Sequence, residues 1–316
     1  MSLRSLTVIA ALLLSASYAA AGDVTGQVLV NGQPVAGANL NFRRSSGGGG
    51  GVTELNDGTD AGGNFTTTVT PNNVYDMTIV PAPGTHALVT TIPSVVIGAA
   101  VNNLGTIALP DGVLLSGRCV DAFGLGIASV NVDVIDAGGV NIALAGDMTD
   151  ATGHFSVAAP AGIVEVRFDT TLVVGPLLAP RTLAVTLGAD VALGDVVLAP
   201  GFVVSALVRR LSGNTAVSDV EVDVFDSVSG ALLYTPSDNT DAAGFVDFVV
   251  PAGTFDIQFT PPFALHLVGQ ELNNHVVAGS ATLGTLLLQN GVVLSGTVTG
   301  FDGSIHGGVD VDVDID

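Results

Sequence analysis

One period organises this chain: three separate landmarks recur about every 90 residues. A strand-like opening appears as DVTGQVLV at Asp23, LLSGRCV at Leu114, VVSALVR at Val203 and VLSGTVT at Val293. Within it, Gly26, Gly117, Ala206 and Gly296 are spaced 91, 89 and 90 residues apart. TDAGGNF at Thr59, TDATGHF at Thr149 and TDAAGFV at Thr240 are spaced 90 and 91. LGTIAL at Leu104, LGDVVL at Leu193 and LGTLLL at Leu283 are spaced 89 and 90. Self-similarity at a fixed period marks a tandem array, so whatever one copy folds into, its neighbours must adopt too.

Each copy reads as β-structure. Val130-Asn131-Val132-Asp133-Val134 and Val220-Glu221-Val222-Asp223-Val224 alternate apolar and polar residues. A period of two places the valines on one buried face. Short β-rich runs are broken by Gly, Pro, Asn and Asp turns, and no 12-residue stretch beyond the N-terminus has helical periodicity. Gly47 to Gly51 reads as a hairpin loop. The expected fold class is all-β: tandem Ig-like or prealbumin-like sandwiches of about seven strands each. The expected domains are 22–110, 111–200 and 201–290, with 291–316 the truncated start of a fourth copy. One or two strands cannot bury a core. The last segment is therefore expected to belong to a longer protein or to pair with something else. Pro110-Asp111-Gly112, Ala199-Pro200-Gly201 and Gln289-Asn290-Gly291 form short joints. Three such domains in line would make a rod on the order of 100 Å.

Residues 1–21 read as a secretory signal peptide: Arg4, an apolar run from Leu6 to Ser15, then Ala19-Ala20-Ala21 before Gly22. The run is shorter than the roughly 20 residues a membrane span needs. The expected location is secreted, extracellular or cell-surface, or periplasmic, with no membrane insertion after cleavage. Twenty-nine acidic residues oppose eight basic ones, all of them arginine, for a net charge of −21. Such a surface repels phosphate backbones and anionic lipid, and attracts cations or basic partners. Nucleic acid is therefore excluded as a partner, leaving an unidentified protein or surface ligand. Cys119 is the only cysteine, so no internal disulfide forms, and it reads as a small buried apolar residue.

The most repeated polar constellation is an acidic pair at i, i+3: Asp57 with Asp60, Asp147 with Asp150, and Asp238 with Asp241. One reading is Ca²⁺, which takes several carboxylate and carbonyl oxygens. The other is turn chemistry, in which Asp binds nearby backbone N–H groups and the following Gly supplies a positive φ. A second acidic feature is the alternating run Val309 to Asp316, which reads as a solvated face that resists edge-to-edge pairing. The histidines are His86, His154, His266, His275 and His306, with no H-x-x-E or H-E-x-x-H spacing. No G-x-S-x-G elbow is present, and Cys119 has no nucleophile signature. Tryptophan is absent and tyrosines are three, which leaves few flat platforms for sugars.

The order of these elements resembles the carboxypeptidase regulatory-like domain. The third copy carries the pattern most fully, in Thr240-Asp241-Ala242-Ala243-Gly244-Phe245 and Val250-Pro251-Ala252-Gly253-Thr254-Phe255-Asp256-Ile257. The second has Ala159-Pro160-Ala161-Gly162-Ile163-Val164-Glu165-Val166, and the first departs, with Thr70-Pro71-Asn72-Asn73-Val74-Tyr75-Asp76-Met77. The resemblance implies a transthyretin-like, or prealbumin-like, sandwich related to the B-type repeats of bacterial collagen adhesins. It implies a stalk or accessory module rather than an enzyme. Adhesin repeats often carry a Lys–Asn crosslink, and a chain without lysine cannot form one. The expected function is a non-catalytic structural or adhesive surface protein. The alternative is a carbohydrate-binding-like or calcium-binding accessory module of a larger secreted enzyme. No cofactor other than calcium is implied.

Overall fold

A computed structural model describes residues 22–45, 57–305 and 307–308. The expected signal peptide, the Gly47 to Gly51 segment expected as a loop, His306 and the acidic run from Val309 lie outside the described residues. Those residues contain strands, turns and one 3₁₀ turn at Phe263–Leu265. No helix among them is long and apolar enough to cross a membrane.

The first copy supplies β1 (Gly22–Val30), β2 (Gln33–Pro34), β3 (Asn39–Arg44), β4 (Asn64–Val69), β5 (Asn73–Val80), β6 (Thr90–Ile97) and β7 (Asn102–Leu109). The second supplies β8 (Val113–Val120), β9 (Asn131–Asp136), β10 (His154–Ala159), β11 (Gly162–Asp169), β12 (Arg181–Leu187) and β13 (Val191–Val197). The third supplies β14 (Phe202–Arg210), β15 (Glu221–Asp226), β16 (Phe245–Val250), β17 (Gly253–Thr260), β18 (Gln270–Val277) and β19 (Ala281–Leu288). Each copy makes two sheets. In the third, one sheet has the order β16-β14-β19 and the other β15-β17-β18. The first and last strands of a copy run parallel, as β1 with β7 and β14 with β19. The protein is thus a series of β-sandwiches. The short second strand reaches two residues only in the first copy. In the others it shrinks to the single bridges Val120 to Gly126 and Arg209 to Ala216.

Contacts divide the chain into two compact units. One is 1–120 with 126–166 and 183–196, and the other is 121–125 with 167–182 and 197–316. In the first unit, Val24, Leu40, Phe42, Tyr75, Met77 and Ile79 form a core. Tyr75 meets Phe42 edge-on at 5.9 Å, and its hydroxyl donates to the Thr70 carbonyl at 2.6 Å, so the buried phenol is satisfied. In the second unit, Val204, Val222, Val224, Phe248, Phe255, Ile257 and Phe259 form another core. Val130, Val132 and Val134 are fully buried, as their alternation requires.

The LG landmark is a β-bulge. Thr25 pairs Asn103 and Gln27 pairs Thr106, so Leu104 and Gly105 together oppose Gly26. Gly105, Gly194 and Gly284 sit at φ of 68°, 66° and 76°. That left-handed position suits glycine. A second bulge faces Asp76 and Asp256, whose carboxylates accept the N–H groups of Ser94 at 3.0 Å and Asn274 at 2.7 Å. Ser94 and Asn274 have φ of 60° and 54°.

Every joint carries the same backbone bracket. The N–H of Gly112 donates to His86 and that of Leu88 to Pro110, at 2.7 and 3.0 Å. Gly201 donates to Leu177 and Ala179 to Ala199, each at 2.9 Å. Gly291 donates to His266 and Val268 to Gln289, at 2.7 and 2.9 Å. The segment 292–305 departs from the sequence expectation. It forms no strand, only the bridge Thr299 to Ile305, and Val292, Leu294 and Phe301 are exposed. Its counterparts β1 and β14 each lie between two partner strands, and the described residues offer this segment neither.

Candidate functional site

The Thr-Asp landmark is built the same way three times. Thr59, Thr149 and Thr240 are buried. Their hydroxyls donate to the carbonyls of Val35, Ile127 and Val217 at 2.6, 2.7 and 2.8 Å. They accept the N–H groups of Ala38, Val130 and Val220 at 2.8, 2.9 and 2.9 Å. A buried hydroxyl without partners is costly, and here both capacities are filled. The acidic-pair pattern in the sequence does not point to these threonines, although they precede the Asp in every copy.

The following Asp shapes the turn. Oδ1 of Asp60 accepts the N–H groups of Gly62 and Asn64, both at 2.8 Å. Asp150 serves Thr152 at 2.8 Å and His154 at 3.0 Å, and Asp241 serves Ala243 at 2.8 Å and Phe245 at 2.9 Å. Gly63, Gly153 and Gly244 close the turn at φ of 73°, 87° and 78°. A Cβ on any of them would lie 2.4 Å from a backbone carbonyl oxygen. The Asn64 N–H holds Asp60 below the usual carboxylate range, and the Thr152 hydroxyl does the same for Asp150.

The upstream acids behave differently. Asp57 and Asp147 contribute backbone carbonyls, which accept the N–H groups of Leu40 at 3.1 Å and Val132 at 2.7 Å. Asp238 is half-buried, and its Oδ2 accepts the Thr235 hydroxyl at 2.6 Å. Burial pushes the Asp238 carboxyl up, the Thr235 hydrogen bond opposes this, and repulsion from Asp223 adds to it. Asp133, the counterpart of Asp223, takes the amides of Asn131 at 2.9 Å and Asn141 at 3.3 Å. Among the described residues, no three His, Cys, Asp or Glu side chains group so as to hold a metal.

The histidines are dispersed. His86 Nε2 lies 3.0 Å from both Asp190 oxygens, and Asp190 Oδ1 also accepts the Leu114 N–H at 3.0 Å. His154 Nδ1 meets the Thr152 hydroxyl at 2.8 Å. His266 packs edge-on against Phe263 at 6.0 Å. Cys119 is fully buried, and burial pushes its thiol up to about 12, far from a nucleophile's range.

This is a tandem β-sandwich protein whose repeated polar groups bind its own backbone. No family model matches the chain, and no curated protein matches it. Among solved structures, it is similar to the Bacillus anthracis TIE protein at 12% identity over 85% of this chain and 51% of that one, with a TM-score of 0.26. The chain therefore spans about half the length of that protein. A streptococcal ancillary pilin is 13% identical over 85% of this chain and 99% of its own, with a TM-score of 0.24. The major pilin subunit of Bacillus cereus is 10% identical over 85% and 99%, with a TM-score of 0.22.

Proposed function

We propose that this is a non-catalytic, exported surface protein whose carboxypeptidase regulatory-like sandwiches act as stalk or interaction modules. The observation that carries the reading is the fate of the repeated Thr-Asp-x-x-Gly unit. Its hydroxyl, carboxylate and glycine all hold the turn at three equivalent places. What repeats here is scaffold. Support for export comes from Arg4, the apolar run to Ser15 and the alanines before Gly22. Support for the repeat type comes from the pattern Thr240 to Ile257.

Two measurements on the source cells test this. Antibodies raised against residues 22–290 are expected to label intact cells, and deleting the gene is expected to lower attachment to surfaces or to other cells. Labelling confined to lysed cells, with attachment unchanged, would overturn the proposal.

A further inference from the structure

The first and last strands of a copy lie side by side in all three copies. In the third, the chain enters along β14 from Phe202 and leaves along β19 at Leu288. The two strands run parallel over six residue pairs, from Val204 with Ala281 to Arg210 with Leu288. The first copy repeats this with β1 and β7, from Val24 with Asn102 to Val30 with Leu109. This strand order has a mechanical consequence. A pull along the chain draws the entering strand past the leaving one. The hydrogen bonds of the ladder run across the strands, so that pull loads them all together. Two strands pulled apart from the same end would lose the same bonds one at a time.

Further observations strengthen the pair. β14 is also paired on its other side, with β16 from Phe202 to Leu207, so drawing it out strips two ladders. Slippage is blocked. The bulge at Leu283 and Gly284 faces Ala206, and Gly284 sits at φ 76°. A slip of one residue moves the bulge off its glycine and turns the buried Leu286 and Leu288 out of the core. The far end is braced by main chain. The Leu211 N–H donates to Leu288 at 2.8 Å, and the exit beyond it is tied to the preceding loop through Val268 to Gln289 and Gly291 to His266. Neither a disulfide nor a lysine crosslink shares the load, since the chain has one cysteine and no lysine.

We infer that the first and last strands of a sandwich form a shear clamp, and that the sandwiches carry tension along the chain. The clamp is β14 with β19 in the third copy and β1 with β7 in the first. The load-bearing role rests on the stalk reading, whereas the clamp is a property of the strand pairing alone. Its signature is direction: the same ladder resists a lengthwise pull and yields to one that parts the strands from a shared end.

The test stretches residues 22–316 in optical tweezers, through DNA handles on cysteine pairs that enclose only the third copy. Ala199, Ser212 and Gln289 are exposed, and Cys119 is buried. Ala199→Cys with Gln289→Cys pulls on the start of β14 and the end of β19, which shears the pair. Ser212→Cys with Gln289→Cys pulls on two ends that lie together, which unzips it. Forced unfolding reads the unfolding rate along the pull. At one loading rate, shearing is expected to need about threefold more force than unzipping, or higher, because six residue pairs resist together in one direction and singly in the other. Equal forces, or a lower force for shearing, would overturn the clamp even for a protein found on the cell surface. A high ratio with antibody labelling confined to lysed cells would overturn the load-bearing role and leave the clamp.

Discussion

Gly117 stands directly opposite Phe155 across β8 and β10, and a Cβ on Gly117 would lie 2.9 Å from two ring carbons. Gly26 faces Phe65 in the same way, at 2.7 Å. In the third copy the pair is Ala206 and Val246. A ring covers a glycine in two copies, and a smaller branched residue faces alanine in the third. Gly117→Ala is expected to destabilise the protein by about 1–3 kcal/mol, as overpacking does. Adding Phe155→Val should recover part of that loss. Urea unfolding of the single and double variants measures the coupling, and strictly additive effects would contradict the size-matching account.

Thr240 joins Val217 and Val220 through one hydroxyl. Thr240→Val keeps the shape but leaves a buried carbonyl and a buried N–H unpaired. The expected loss is about 2–4 kcal/mol from two orphaned backbone groups. Thr240→Ser, which retains the hydroxyl, should lose less than half as much. Equal losses in the two variants would show that the methyl, not the hydrogen bonds, matters.

Acid and neutral pH should act oppositely on two kinds of carboxylate. Asp60 and Asp150 are lowered in the folded protein, by the Asn64 N–H and the Thr152 hydroxyl respectively. Their contribution is present above the unfolded carboxylate pKa of about 4 and is lost as pH falls through the folded value. Asp238 is raised by burial. Its contribution is full below the unfolded pKa and is lost as pH rises through the folded one. Asp238→Asn is therefore expected to stabilise the protein at pH 7 and to have little effect at pH 3. Denaturation midpoints at the two pH values check this, and a destabilised Asp238→Asn protein at pH 7 would contradict it.

The turn role of Asp60, Asp150 and Asp241 sets an expectation for calcium. Each Oδ1 is already bound to two N–H groups. Millimolar Ca²⁺ is expected to leave the melting temperature unchanged. A rise of several degrees, abolished by replacing Asp57, Asp147 and Asp238 with Asn, would instead assign ions to the acidic pairs.

Cys119 is buried, with its thiol pushed up to about 12. Iodoacetamide should therefore leave the folded protein unmodified at pH 8 and label it fully in denaturant, as mass spectrometry would register. Rapid labelling without denaturant would show that the first strand of the second sandwich opens readily.

Much of this fold is legible in the sequence because its landmarks are local. Thr240-Asp241-x-x-Gly244 encodes a turn within a few residues, and Leu283-Gly284 encodes a bulge through one left-handed glycine. The valine alternation marks the buried face directly. Pairings across long separations are less legible. Nothing near Thr149 names Ile127 as its partner. The strand expected from Val293 needed partners that alternation cannot supply. The acidic pairs were legible as a pattern, but their chemistry depends on which N–H groups the backbone presents.

The bracket at each joint, Gly201 to Leu177 and Ala179 to Ala199 among them, is made of main-chain atoms. Side chains there are free to drift, as His86, Leu177 and His266 illustrate. A joint that fixes one glycine donor and leaves its acceptor side open to different residues tolerates duplication and loss of whole modules. Unequal recombination could lengthen or shorten such a protein by one period without redesigning a single contact surface.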